Sequence, residues 1–123
     1  GWITAPNGAR ATAMVAADTV RVTVHCGQPL DAVVLRSYCV GAAHMALGWV
    51  RSEAITVGAD GVPLDLTMRS FGVLRAVDTP AVEVEFVADD GPPVNGSDAV
   101  FAAVALAAWR AEGFAPRWPT MRA

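Results

Sequence analysis

The chain has 123 residues with 54% hydrophobic and 17% charged side chains, a size and balance that fit one folded domain, 1–123, and exclude a disordered tail. All nine basic residues are Arg and the formal net charge is −3, so an electrostatic grip on nucleic acid or anionic lipid is not expected. Ala and Val dominate the apolar content without any uncharged run near the roughly 18 residues a membrane span needs, so no membrane partner is expected. The N-terminus lacks a basic region followed by an apolar run, which makes the cytoplasm the expected location.

In chain order, Val20, Val22 and Val24 alternate with Arg21 and Thr23, the period of a half-buried strand. Asp18-Thr19 predicts a hairpin turn between strands Ala11–Ala17 and Val20–Cys26. Gly27-Gln28-Pro29 ends the second strand, and Asp31 is placed to cap a helix. From Asp31 to Trp49 the residues Leu35, Tyr38, Cys39, Ala42, Met45, Ala46 and Trp49 fall at spacings of three, four and seven, which predicts a helix burying one stripe. Gly41 and Gly48 inside it each cost about 1 kcal/mol relative to Ala, which points to a close backbone neighbour. Val50–Val57 reads as a strand, Gly58–Gly61 as a turn, and Leu64–Met68 as a short extended piece. In Ala81–Ala88, Val82, Val84 and Phe86 face one way and Glu83 and Glu85 the other, the clearest strand in the chain. The segment 89–96 is a loop, after which Ser97 or Asp98 is expected to cap an Ala-rich helix ending at Gly113. The tail 114–123 reads as an irregular arm. The expected class is α+β, a twisted, largely antiparallel sheet packed against two long helices.

Cys26 and Cys39 sit in apolar contexts, where buried free thiols are expected rather than a bridge. With His25 and His44 they are too few for a metal site. His44, next to the apolar stripe, is a candidate for acid–base chemistry against the plainer reading of a half-buried, hydrogen-bonded ring. Tyr38 lies on the stripe, where core packing with its hydroxyl satisfied is the competing reading. Asn95, Gly96 and Ser97 stand at a helix start, where backbone amides can hold an anion.

Several short motifs follow one another in a recognisable order. They are Val24-His25-Cys26-Gly27, Tyr38-Cys39-Val40-Gly41-Ala42, Ala46-Leu47-Gly48-Trp49, Glu53, Gly61-Val62-Pro63-Leu64, Phe71, Asp78-Thr79-Pro80, Val82–Phe86 and the closing Ala-rich helix. Over roughly residues 11–115 this order resembles the C-terminal part of the molybdenum-binding large subunit of the xanthine dehydrogenase and aldehyde oxidase family, the molybdenum hydroxylases. The resemblance implies a compact α+β piece of a molybdopterin-binding subunit.

The departures fall where that family does its chemistry. Its helix glutamine beside the cofactor corresponds to Tyr38. Its Lys-Gly-x-Gly-Glu loop, which delivers the general base, corresponds to 91–98 and holds no glutamate. Asp98 is the carboxylate left to stand in, one methylene shorter, and helix capping explains it equally well. Asp98, His44 and Tyr38 are thus the candidate catalytic residues; Asn95, Gly96, Ser97, Trp49 and Gly41 are the candidate ligand contacts.

The primary expectation is a relative that keeps the fold, has lost molybdenum redox chemistry and carries no cofactor. It would bind a small organic molecule in the crevice between the first helix and the 91–98 loop, with or without acid–base catalysis. The alternative is a subunit or fragment of a multi-chain molybdenum hydroxylase that shares the molybdopterin cofactor with partner chains. A face buried in the parent enzyme makes a homodimer or a protein partner the expectation under either reading.

Overall fold

A computed structural model describes residues 1–54, 58–63, 67 and 71–119. The strands are β1 (Ile3–Thr4), β2 (Arg10–Val15), β3 (Thr19–His25) and β4 (Ala81–Phe86); the helices are α1 (Ala32–Arg51) and α2 (Ser97–Ala111). A 3-10 turn covers Ala76–Asp78. The fold is α+β, with a single mixed sheet in the order β1-β2-β3-β4.

The alternating residues of β3 set the sheet's two faces. Val20, Val22 and Val24 are buried and pair with Val82, Val84 and Phe86, while Arg21 and Thr23 pair with Glu83 and Glu85 on the open face. Arg21 and Glu83 form an ion pair at 3.0 Å. β2 and β3 make the expected hairpin, closed by Ala16 N–H donating to Thr19 O at 2.9 Å. β1–β2 and β2–β3 are antiparallel, whereas β4 runs parallel to β3. The parallel pair follows from the connection, because a parallel return needs a long crossover and α1 lies within it.

Both helices contribute small residues to one core. Cys39, Ala42, Ala43, Ala46, Leu47 and Val50 of α1 are buried together with Ala99, Val100, Ala103, Val104 and Ala108 of α2 and the inner face of the sheet. By length and composition α1 is apolar enough to cross a membrane. One stripe of it is buried in the core of this fold.

Asp31 caps α1 as expected, its Oδ1 accepting from Val33 N at 3.0 Å and Val34 N at 3.2 Å. The expected strand at Val50–Val57 is corrected at its start. The three- and four-residue period continues through Val50, which is fully buried, so the helix runs on to Arg51. Residues 55–57, and all of 64–68 but Thr67, lie outside the described residues.

The cap expected at the second helix is also corrected. Gly96 occupies that position, and Ser97 and Asp98 fall inside the first turn. Asn95, one residue earlier, supplies the oxygen: its Oδ1 accepts from Ser97 N at 2.9 Å. Gly96 is buried against β3, where a Cβ would lie 2.8 Å from Val24 Cγ1, so the cap position has no room for a side chain. Gly113 terminates the region in the left-handed conformation at φ 71°. The tail then folds back. Trp118 meets Trp49 edge-on at 4.4 Å, and Trp109 Nε1 donates to Ala115 O at 2.7 Å.

Candidate functional site

The end of β3 fixes the loop that precedes α2. Gly27 turns the chain at φ 75°, and a Cβ there would lie 2.7 Å from Pro92 C and 2.9 Å from Gly91 O, so only glycine fits. Gln28 N donates to Gly91 O at 3.1 Å and Val94 N to Cys26 O at 3.0 Å. Asp89 Oδ1 accepts from Gly91 N at 2.8 Å, and Asn7 Nδ2 donates to Asn95 O at 2.8 Å. Between this loop and the start of α1 lies a crevice of about 250 Å³, lined by Pro29, Leu30, Asp31, Val34, Leu35, Tyr38, Pro93, Val94 and Asn95.

The crevice brings together Tyr38 and Asn95 from the sequence-derived candidates and no others. Tyr38 is 59% exposed, which corrects its placement on the buried stripe. Met45 is exposed to 57% and Trp49 to 39%, so the helix is rotated toward its smaller residues, with Ala43, Ala46 and Leu47 inward. Trp49 lies eleven residues beyond Tyr38, about 16 Å along the helix, and packs with Phe101 and Trp118. Ser97 is half-buried, Gly96 is buried, and Asp98 is exposed; none of the three lines the crevice.

His44 belongs to a second depression of about 560 Å³ between α1 and the segment 74–82, where Gly41 also lies. Its Nε2 is 2.8 Å from Leu74 O. A carbonyl can only accept, so Nε2 carries a hydrogen and donates it to Leu74 O. The structure therefore places His44, Tyr38 and Asp98 at separate positions: His44 in this groove, Tyr38 in the crevice and Asp98 in neither.

The helix glycines also differ from expectation. A Cβ at Gly41 would meet nothing within 4 Å among the described residues, so none of them requires glycine there. At Gly48 the close neighbour is the Glu53 side chain, with Cδ 3.3 Å from a Cβ built there, rather than a backbone. Burial pushes the Glu53 carboxyl above the ordinary glutamate range, and the charge of His44 partly opposes this.

Both cysteines are free and buried. Burial and the neighbouring Cys26 push the Cys39 thiol up to about 11, with Arg36 pulling the other way. Burial and Asp89 raise Cys26. Among the described residues no group of three or more His, Cys, Asp and Glu could hold a metal ion.

The sequence reading did not single out Arg36 or His25–Asp89. Arg36 Nη1 donates to Val84 O on β4 at 2.5 Å and its guanidinium lies 5.2 Å from the Phe86 ring centre. His25 Nδ1 lies 3.3 Å from Asp89 Oδ2. The run Leu30, Val33, Val34 was the available signal for an outward apolar face at the start of α1.

No protein-family model matches the chain, and no curated protein sequence matches it. Solved structures do. A Cu,Mo-CO dehydrogenase aligns with a TM-score of 0.64 at 16% identity, over 79% of this chain and 13% of the enzyme's chain. Reconstituted CO dehydrogenase from Oligotropha carboxidovorans gives 0.59 at 16% identity, over 73% of this chain and 12% of that one. Quinoline 2-oxidoreductase from Pseudomonas putida 86 gives 0.61 at 16% identity, over 82% and 15%. The fold is thus that of a portion of these oxidoreductase chains, and this chain spans only 12–15% of their length.

The crevice by itself does not fit an anionic pterin cofactor. It offers one phenol, one amide and the carboxylate of Asp31, whose Oδ1 already accepts from two α1 amides. Among the described residues no Arg, Lys or His lines it to meet a phosphate.

Proposed function

We propose that this chain is a subdomain of a molybdenum-hydroxylase-type assembly in which α1 and the 91–95 loop form an apolar wall against other polypeptide. The carrying observation is the outward face of α1. Val34 is exposed to 50%, Tyr38 to 59% and Met45 to 57%, with Leu30 at 92% just before the helix. These positions follow one another at three- to four-residue steps once Gly41 is included, so they form one stripe. A continuous apolar stripe beside a pre-formed crevice marks an interaction surface more than a solvated one. Covering such a stripe contributes about 25 cal/mol per Å² of apolar surface, before the cost of association.

In this reading the chain's own residues exclude water and orient a neighbour. Tyr38 offers a hydroxyl and Asn95 a side-chain amide at the edge of the crevice; the loop contributes no glutamate to act as a base. Groups that hold an anionic cofactor come from the other polypeptide in this reading, because none of the described residues lining the crevice is a cation.

The test is the native mass of an affinity-tagged chain purified from its source, compared with Val34→Glu and Tyr38→Glu. Wild type is expected far above 12.8 kDa, and both variants are expected as folded monomers. A wild-type chain that elutes alone contradicts the proposal.

A further inference from the structure

We propose that the free edge of β4 takes an added strand from another polypeptide, one whose side chains alternate basic and apolar. β4 ends the sheet, and successive residues of a strand turn their backbone groups to opposite sides. Ala81 N donates to Asp18 O and Val87 N to Val24 O, so residues 81, 83, 85 and 87 face β3. Val82, Val84 and Phe86 therefore turn their N–H and C=O groups to the open edge. Among the described residues one group meets them there: Arg36 Nη1, which donates to Val84 O. The rest of this row is left to solvent, and a row of unpaired donors and acceptors is what an added strand satisfies.

The side chains of β4 define that strand. On the outer face Glu83 and Glu85 are both exposed. Glu83 pairs with Arg21, whereas no cation among the described residues pairs with Glu85. A Lys or Arg set opposite them on the added strand makes a favourable cross-strand pair. On the inner face Val82 and Phe86 are half-buried, and the groove beside Val82 has walls of Val40, Leu74 and Pro80, so apolar side chains are covered on that side.

The same charges disfavour a second copy of this chain. Two β4 strands related by a twofold axis run antiparallel, and a pairing centred on Glu83, Val84 or Glu85 sets glutamate opposite glutamate. Arg36 keeps the edge single until the right strand arrives, since a charge at a sheet edge deters casual pairing. It is exposed on α1, with its guanidinium 5.2 Å from the Phe86 ring centre, and it can leave Val84 O for water when a strand replaces it. The inference rests on β4 and Arg36, so it stands or falls apart from the assembly reading, which rests on the α1 stripe and is tested by native mass.

The experiment adds a short capped peptide of alternating Val and Lys to the ¹⁵N-labelled chain and follows amide hydrogen exchange. At about nine-tenths occupancy the amides of Val82, Val84 and Phe86 are expected to exchange about tenfold more slowly, while those of Glu83 and Glu85, already turned to β3, keep their rates. A peptide of alternating Val and Glu, and the Val-Lys peptide with its backbone N-methylated, are expected to give no protection. Glu85→Lys, at an exposed position, should weaken the Val-Lys peptide about fivefold. Protection that spares Val82, Val84 and Phe86, equal protection by the acidic or N-methylated peptide, or undiminished affinity for Glu85→Lys would each overturn the proposal. So would protection of these three amides in the free chain that grows with its concentration, which would make the added strand a second copy.

Discussion

Gly27→Ala tests the geometry that holds the crevice in place. The residue sits at φ 75°, where an L side chain costs about 1–2 kcal/mol. Its new Cβ would fall within 2.7 Å of Pro92 C and 2.9 Å of Gly91 O, backbone atoms that cannot rotate away. The 91–94 loop must retreat, which weakens the bonds from Gln28 N to Gly91 O and from Val94 N to Cys26 O, each contributing about 1 kcal/mol. Together these give a loss of about 3 kcal/mol, out of the roughly 5–15 kcal/mol typical of a domain. For a chain of this length that lowers the thermal midpoint by about 12 °C. Circular dichroism melting of wild type and Gly27→Ala measures it directly. A midpoint within about 2 °C of wild type would mean that the turn is free to relax and that the loop is not anchored by β3.

Gly41→Ala should act in the opposite sense, raising stability by up to about 1 kcal/mol in the same melting assay, because the new methyl meets none of the described residues and helix propensity improves. Leu47→Ala removes a fully buried side chain between the helices and should cost about 2–5 kcal/mol by urea unfolding. Cys39, buried and with its thiol pushed up to about 11, should react with a thiol reagent at pH 8 only as fast as the chain opens; rapid labelling of the folded chain would contradict its burial. Glu53 is pushed up by burial, so the fold holds its proton more tightly than the unfolded chain does. Stability then falls as pH rises from the ordinary glutamate range through the raised value, and Glu53→Gln should flatten that slope in denaturant titrations.

The elements set by local chemistry were legible in the sequence. Asp31 announced the start of α1, Gly113 the end of α2, and the Val alternation the two central strands. The rotation of α1 was not legible, because Ala, Cys, Met, Tyr and Trp all count as apolar and only tertiary packing chooses among them. Small Ala43 and Ala46 go inward against α2, and the large Tyr38 and Met45 stay outside. The parallel pairing of β3 with β4 joins residues more than fifty apart, which no local period encodes. The same holds for Gly27, readable as a turn yet constrained by Pro92 across the fold, and for Gly48, where the Glu53 side chain takes the place expected of a backbone neighbour. The capping role offered to Ser97 and Asp98 passed to Asn95 because β3 fills the space beside Gly96. Of the candidate site, Tyr38 and the 93–95 loop line one crevice, while His44 and Gly41 line a separate groove.

In the proposed assembly the outward stripe of α1 is the surface that joins this chain to molybdenum-bearing polypeptide. The most direct measurement is the molybdenum-to-protein ratio of the material retained by a tagged chain from its native source, compared between wild type and Val34→Glu. Molybdenum is expected with wild type and is expected to be lost with the variant, whose melting point should stay near that of wild type because Val34 is half exposed. Wild type without molybdenum, or the same ratio in both, would contradict the proposed assembly.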